Sequence, residues 1–432
     1  MTDNKLPLRA KVATTLSRGV AALSRATGRG DGAVIGGKIG MMIDPNLLAN
    51  LAAGREIALI SGTNGKTTTT RLTAAAMGVL GPVATNSLGA NMPTGHASAL
   101  AKAGATPYAV LEVDEHYLRQ VLNATRPRVV ALLNLSRDQL DRAKEVAMMA
   151  ALWRDALREV DNAGSGAAAA GVGQHDGGLH DGGLHVVANA DDPMVTWAAS
   201  TAKEVTWVAA GQRWHDDSWV CPECGSHIER SGDDWSCVTG DLRRPEPQWR
   251  VSEDGVIDPS GTFHRVDLQL PGRVNKANAA TALAVAAYFG VRVEDALPHL
   301  AEVASIAGRY ATVVRDQRTI RLLLAKNPAG WLEAFDMAED APTLLSINAR
   351  DPDGLDTSWL YDVDFSPLRG RRVLVTGDRA MDLAVRLEVN EVPFEHVTSF
   401  DKALKAVPPG RLEVIANYTA FQDIRAELDR VN

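Results

Sequence analysis

A chain of 432 residues is too long for one ordinary hydrophobic core, so two or three domains are expected. Hydrophobic residues at 45% and charged residues at 23% are the proportions of a globular protein in water; no run approaches the roughly 18 apolar residues that span a bilayer, and the N-terminus lacks the apolar core of a secretion signal. A formal net charge of −8 argues against a nucleic-acid binder, and three cysteines, an odd number confined to 221–237, suit a metal site in a cytoplasmic protein better than a disulfide framework.

Residues 1–54 read as an N-terminal helical segment. Val12, Leu16, Val20 and Leu23 recur at helical spacing, with Arg9, Lys11, Arg18 and Arg25 among them. One reading is a basic helix on an anionic membrane surface; the favoured one is a helix packed on its own domain with a solvated basic face.

Next, the apolar strand 57–60 runs into the turn Gly62-Thr63-Asn64-Gly65-Lys66-Thr67-Thr68 and an apolar helix over 72–80, stopped by Gly81 and Pro82. This is a phosphate cradle. The turn's N–H groups and the helix N-terminus present partial positive charge to an anion, Lys66 reaches the outer phosphates, and Thr67 offers its hydroxyl to Mg2+. Ile60 stands where the strict Walker pattern has its first glycine.

Strand-like runs at 108–113, 128–135, 185–189 and 205–209 alternate with helical ones, the pattern of an α/β domain whose largely parallel sheet carries its ligand groups at the carboxyl strand ends. Glu112, ending the first of these, would bind Mg2+ directly or through water; alone, it would read as a strand-end charge reaching solvent. Asn134-Leu-Ser-Arg-Asp-Gln-Leu-Asp-Arg142 and Asn189-Ala-Asp-Asp-Pro193 follow the next two strands, and polar clusters at three successive strand ends favour a functional reading.

Residues 163–185 are Gly/Ala-rich and repeat His-Asp-Gly-Gly-Leu from His175 and His180 up to His185, a flexible surface insertion rather than a three-histidine metal site. Within 217–246, Cys221, Cys224 and Cys237 have the spacing of a zinc ribbon, but Gly240 occupies the fourth place. Either His227 or Asp241 substitutes, or the ribbon is metal-free, which is the favoured reading. Asn275 and Asn278, three apart before an alanine-rich helix, either cap it or face an adenine ring and phosphates. Arg309, at a composition break, could clamp a phosphoryl group in its planar fork. A second α/β unit follows, with strands at 320–324, 343–347, 372–375 and 412–415 and helices at 331–337 and 421–428. The central domain is thus expected over 55–311 and the C-terminal domain over 312–432.

In this order, the Gly62–Thr68 turn, strand-end Glu112, the 134–142 and 189–193 clusters, the Gly-x-x-Asn-x-x-Asn run ending at Asn278 and the Gly-Arg pair ending at Arg309 resemble the central domain of Mur ligases, over almost the whole chain from about residue 40. The resemblance implies a P-loop ATP-binding domain followed by a Rossmann-like α/β domain. It also implies activation of a carboxylate as an acyl phosphate with ATP and Mg2+, then attack by an amine.

Three departures narrow the resemblance. About 55 residues precede the turn, too few for the family's usual substrate-binding domain; Gln139 replaces a usual histidine; and Lys326-Asn-Pro-Ala-Gly330 stands where His-Asn-Pro is usual. With the acidic stretch from Asp353 to Asp364, they are similar to the ATP-dependent subunits of lipid II isoglutaminyl synthases, which often carry a zinc ribbon.

That likeness implies amidation of the α-carboxylate of D-glutamate in the lipid II stem peptide, at the inner face of the cytoplasmic membrane. Lys66, Thr67, Glu112 and Arg309 would hold ATP and Mg2+, and Lys326 would mark the altered C-terminal motif. Ammonia would come from a GatD-like glutamine amidotransferase, because the three cysteines lie in the ribbon. An aspartate of 350–364, Asp356 first and Asp353 second, would orient the partner's catalytic histidine; otherwise the stretch is a solvated acidic loop. The rivals are a Mur-type ligase adding an amino acid to a muropeptide or folate-like carboxylate, and a P-loop ATPase serving as switch or scaffold.

Overall fold

The computed structural model describes residues 6–27, 32–86, 90–137, 146–169, 183–304 and 310–430. They form two compact units, one built from Met1–Leu135, Val146–Gln269 and Val274–Val303, the other mainly from Ala304–Asn432. The expected boundary at 311/312 falls inside a strand of the second unit.

The first unit opens with helices α1 (Leu8–Ala26), α2 (Ala33–Ile43) and α3 (Leu47–Ala52). Then come β1 (Glu56–Ser61), α4 (Lys66–Met77), β2 (Val83–Thr85), α5 (Pro93–Ala103), β3 (Tyr108–Val113), α6 (Leu118–Thr125) and β4 (Val129–Leu132). The chain continues through α7 (Val146–Ala169), β5 (His185–Asn189), α8 (Pro193–Ala199) and β6 (Glu204–Ala209), a hairpin of β7 (Ile228–Ser231) and β8 (Asp234–Cys237), the short strands β9 (Trp249–Val251), β10 (Gly255–Ile257) and β11 (Phe263–Arg265), and α9 (Arg273–Tyr288) with α10 (Val293–Ala301).

Nine of these strands form one sheet in the order β11-β10-β9-β6-β5-β4-β1-β3-β2, parallel from β9 to β2, with β10 and β11 antiparallel at one edge. Side chains alternate along β1. Ile57 and Leu59 enter a core with α3, α5, α6 and α7; Ala58 and Ile60 enter another with α4, α9 and α10. Burial on both faces explains why the central strands read as continuous apolar runs.

The N-terminal helix packs on its own domain, but not through the apolar positions that mark it in the sequence. Its buried face is Ala10, Ala13, Thr14, Ser17 and Ala21, whereas Leu8, Val12, Leu16 and Leu23 are exposed. The reason is close backbone approach. A Cβ on Gly36 would come within 2.7 Å of the Ser17 carbonyl, and one on Gly37 within 1.7 Å of the Thr94 carbonyl on α5. Only small residues fit such an interface, so the large ones are displaced outward.

The second unit comprises β12 (Tyr310–Arg315), β13 (Arg318–Leu324), α11 (Pro328–Met337), β14 (Thr343–Ser346), β15 (Val373–Thr376), α12 (Ala380–Val389), β16 (Phe394–His396), α13 (Phe400–Ala406), β17 (Gly410–Ala416) and α14 (Tyr418–Asp429). Its six-stranded sheet runs β12-β13-β17-β14-β15-β16, parallel except for β12. Trp331, Phe335 and Leu383 cover one face, and Phe400, Phe421 and Ile424 the other.

Of the 163–185 insertion, α7 takes the first part as far as Ala169. His175 and His180 lie outside the described residues. His185 begins β5, stacked on Tyr288 at 4.3 Å between ring centres and hydrogen-bonded to the Thr206 hydroxyl at 2.9 Å.

Candidate active site

At the carboxyl end of β1, Gly62 and Gly65 take left-handed backbone angles, φ 147° and 81°, which turn the chain into α4. Asn134, after β4, grips the turn: its carbonyl accepts from Thr63 N–H and its side-chain oxygen from Asn64 N–H, both at 2.9 Å. Those two amides, expected to face an anion, are therefore spent on holding the loop. Among the described residues no side chain caps the N-terminus of α4, the end of a helix that carries partial positive charge.

Lys66 folds back over the turn. Its ammonium donates to the Gly62 carbonyl, to the Thr63 carbonyl at 3.2 Å and to the Glu115 carboxylate at 3.0 Å. Glu115 was missed in the sequence, although it lies only three residues beyond Glu112, because past the strand end no periodicity says which carboxylate turns inward. Its backbone is fixed by the Trp153 indole, which donates to the Glu115 carbonyl at 3.1 Å.

Glu112 is the penultimate residue of β3 and is 1% exposed. Asn86 clamps its peptide on both sides at 2.8 Å, and His96 Nε2 donates to its carbonyl at 2.7 Å. Burial holds the His96 imidazole down at about 4, so the ring is neutral. One Glu112 carboxylate oxygen lies at 3.5 Å from Asn91 Nδ2, and the other is buried without a hydrogen-bond partner among the described residues. An orphaned buried carboxylate oxygen suits a hard divalent cation, and Glu112 with the Thr67 hydroxyl would hold Mg2+ there.

Asn278 on α9 lies against the turn: its side-chain oxygen accepts from Thr69 Oγ1 at 3.1 Å and would meet a Cβ on Gly65 at 2.7 Å. Its amide donates to Asn275 Oδ1 at 3.3 Å. Asn278 thus lies against the glycine turn, with Asn275 behind it on α9. Arg309, and residues 138–142 of the 134–142 cluster, lie outside the described residues. Asp192 has a structural part, accepting from the backbone N–H groups of Leu135, Met194 and Val195 at 2.9–3.2 Å.

Cys221, Cys224 and Cys237 put their sulfur atoms within 4.8 Å of one another. Neither proposed substitute joins them: His227 stacks on Trp219, and Asp241 is exposed beside Arg243. A Cβ on Gly240 would lie 3.3 and 3.5 Å from two of the sulfurs, so the fourth corner of the ribbon is where a side chain is missing. The donor set does not fit a closed four-ligand zinc site. The insertion is also held by Trp235, whose indole donates to the Ala190 carbonyl at 3.0 Å, and by Arg244 paired with Asp191 at 2.7 Å.

In the second unit, Lys326 is half-buried past the end of β13, next to Asn327, which caps α11 by accepting from Gly330 N–H at 2.9 Å. Asp353 is buried and latched to α14, accepting from Thr419 N–H at 2.8 Å and from the Thr419 hydroxyl. Asp356 is exposed. Its carboxylate accepts from Ser358 N–H at 2.8 Å, which with Arg379 nearby holds it below its ordinary range. The segment beneath it is anchored by buried Trp359 and Leu360, and by Thr357 donating to Asp382 at 2.7 Å.

A phosphate turn at a parallel strand end, a buried carboxylate one strand away and a separate Rossmann-like unit are the parts of a Mur-type ligase. Residues 60–153 match the Mur ligase middle domain and 324–421 the MurT ligase C-terminal domain.

The chain is MurT-like along nearly its whole length. It is 28% identical to the lipid II isoglutaminyl synthase (glutamine-hydrolyzing) subunit MurT of Streptococcus pneumoniae, over 92% of each chain. It is also 28% identical to that of Staphylococcus aureus, over 94% of this chain and 95% of the relative. Among solved structures it is similar to a type C pseudomurein peptide ligase from Methanothermus fervidus, with a TM-score of 0.64 at 17% identity over 88% of this chain and 79% of that one. MurF ligase from Thermotoga maritima in complex with ADP gives a TM-score of 0.58 at 14% identity, over 90% and 84%. These two likenesses establish the fold.

Proposed function

We propose that this chain is the ATP-dependent subunit of a lipid II isoglutaminyl synthase, converting the D-glutamate α-carboxylate of the stem peptide to D-isoglutamine. A carboxylate oxygen takes the γ-phosphoryl group of ATP and ADP leaves. Ammonia then attacks the acyl carbon, and phosphate departs with the oxygen it gained. The observation that carries this reading is near full-length similarity to two chains that bear that name.

Lys66 would neutralise the transferring phosphoryl group, while Thr67 and Glu112 would hold Mg2+, which draws charge from the phosphate oxygens when bound. Asn275 and Asn278 would face the nucleotide side of the turn. Arg309 would clamp a phosphoryl group, and Lys326 would mark the altered C-terminal motif.

Ammonia would come from a GatD-like amidotransferase. Asp356 is the residue best suited to complete that partner's cysteine–histidine pair, being exposed, anionic and mounted on an anchored segment, whereas both oxygens of Asp353 are already used. Among the described residues no helix is long and apolar enough to cross a membrane. The protein would act from the cytoplasm on the membrane's inner face, where the lipid II head group is presented.

The test is incubation with ATP, Mg2+, glutamine, lipid II and the amidotransferase, followed by mass spectrometry of the stem peptide. Replacement of a hydroxyl by an amino group supports the reading. Gain of an amino-acid residue would make the chain an amino-acid-adding ligase, and ATP hydrolysis without product a switch or scaffold.

A further inference from the structure

Four aliphatic side chains on α1 are turned to solvent although their helix is packed into a domain: Leu8 at 80% exposure, Val12 at 47%, Leu16 at 46% and Leu23 at 63%. At 100° per residue they fall within an arc of about 80°, opposite the buried Ala10, Ser17 and Ala21. On α2, Ile35 and Met42 are likewise exposed at 50% and 73%. This arrangement follows from the packing described above, since the glycine- and alanine-lined contact between α1, α2 and α5 has no room for larger groups. A monomer in water gains nothing from a solvent-facing leucine stripe, so the stripe calls for an occupant.

Charge identifies the occupant. Residues 6–43 carry six basic side chains, Arg9, Lys11, Arg18, Arg25, Arg29 and Lys38, against one acid, Asp31, in a chain whose formal net charge is −8. On α1 the bases lie outside the apolar arc: Arg9 is beside it and also donates to the Ile43 carbonyl, while Lys11, Arg18 and Arg25 lie about 60–100° beyond its other edge, Arg18 donating to the Ala101 carbonyl at 2.6 Å. A narrow aliphatic stripe between cationic borders is the form of a helix lying in a lipid interface, with side chains in the acyl boundary and bases among anionic head groups. A protein partner would more commonly be met by aromatic anchors, which α1 lacks.

We infer that α1, with the exposed face of α2, is a docking surface for an anionic membrane. The proposed reaction explains only why such a membrane would be met, and the surface itself stands on residues outside the ATP site. It would hold the ligase where a lipid-anchored substrate is presented, by many weak contacts that release readily.

The full-length chain should sediment with vesicles of phosphatidylcholine mixed with phosphatidylglycerol, hardly at all with phosphatidylcholine alone, and less as salt rises. Leu16→Ser with Leu23→Ser should lower the binding at least about tenfold. Met381→Ser with Val385→Ser, an exposed apolar pair on α12, should leave it unchanged. Both pairs are exposed, so thermal unfolding should match wild type, which keeps a binding loss from being read as misfolding.

Equal binding to both vesicle types, or binding unaffected by the α1 pair, would overturn the inference. So would loss of a dimer, or of co-purification with the amidotransferase, on changing that pair while vesicle binding persists. Because the vesicles contain no lipid II, failure of the amidation reading leaves this result standing, and the reverse also holds.

Discussion

The Lys66 ammonium is paired with the Glu115 carboxylate at 3.0 Å, with side chains only 4% and 9% exposed. The cation proposed here to bind phosphate is therefore paired with an internal anion, and nucleotide would compete with Glu115 for it. Glu115→Gln removes the competitor, so it should tighten Mg2+-free ADP binding by about tenfold, roughly the 1.4 kcal/mol expected of one exchanged charge contact. Lys66→Ala should abolish that binding. Calorimetric titration of the two variants separates the roles: weakening in both would move Glu115 from competitor to a residue that holds Lys66 in place for phosphate.

Glu112→Gln should raise the Mg2+ concentration needed for half-maximal activity by about tenfold or more while leaving Mg2+-free ADP binding unchanged, because the substitution removes the one carboxylate proposed to hold the divalent cation without touching the turn. Activity titrated against Mg2+ checks this. An unchanged requirement would return Glu112 to a strand-end charge.

His96 gives the chain a pH signature. Its ring titrates at about 4 when folded against an ordinary value of 6.5, so between those values the unfolded chain holds a proton that the folded one excludes. Stability from this group is complete above about pH 6.5 and lost on acidification, by about 2 kcal/mol near pH 5. Urea unfolding of wild type and His96→Gln at about pH 7.5 and pH 5 should show the smaller acid loss in the variant. Equal losses would mean that the ring takes a proton inside the fold.

Purified protein should contain well under one zinc per chain, and Gly240→Cys should raise this to one, since a Cβ there already lies 3.3 and 3.5 Å from two cysteine sulfurs. Metal analysis of both proteins decides it. Stoichiometric zinc in the wild type would show that three thiolates and an outside ligand suffice.

Asp356→Asn should stop glutamine-dependent amidation and spare the reaction driven by added ammonia, because only the partner's histidine loses its support. Asp353→Asn should instead lower the thermal stability of the second unit, through the lost Thr419 latch. Equal loss of both reactions in Asp356→Asn would place that residue in the ligase site.

The central parallel strands were legible because both faces are buried: 108–113 and 185–189 are strands as expected, while 128–135 shortens to Val129–Leu132. The turn of 62–66 was legible because its two glycines are demanded by left-handed backbone angles. Pairings across the fold were not. Nothing local ties Lys66 to Glu115 or Asn134 to the turn, since each couples different strand ends brought together only by the sheet order, or His96 on α5 to Glu112 on β3, which meet only when the helix packs on the sheet. On α1 the apolar period was visible, but its direction was hidden, because the partner surface is a set of glycines that reads as a weak helix.

The most direct test of the account follows one oxygen atom. Lipid II carrying heavy oxygen in the D-glutamate α-carboxylate is turned over by the complex with ATP, Mg2+ and glutamine, and the released phosphate is analysed by mass spectrometry. An acyl phosphate requires one labelled oxygen to leave with each phosphate formed, in step with isoglutamine. Phosphate free of label, with its new oxygen drawn from water, would show that ATP is hydrolysed without activating the carboxylate, and would contradict the assignment of this chain as the ligase.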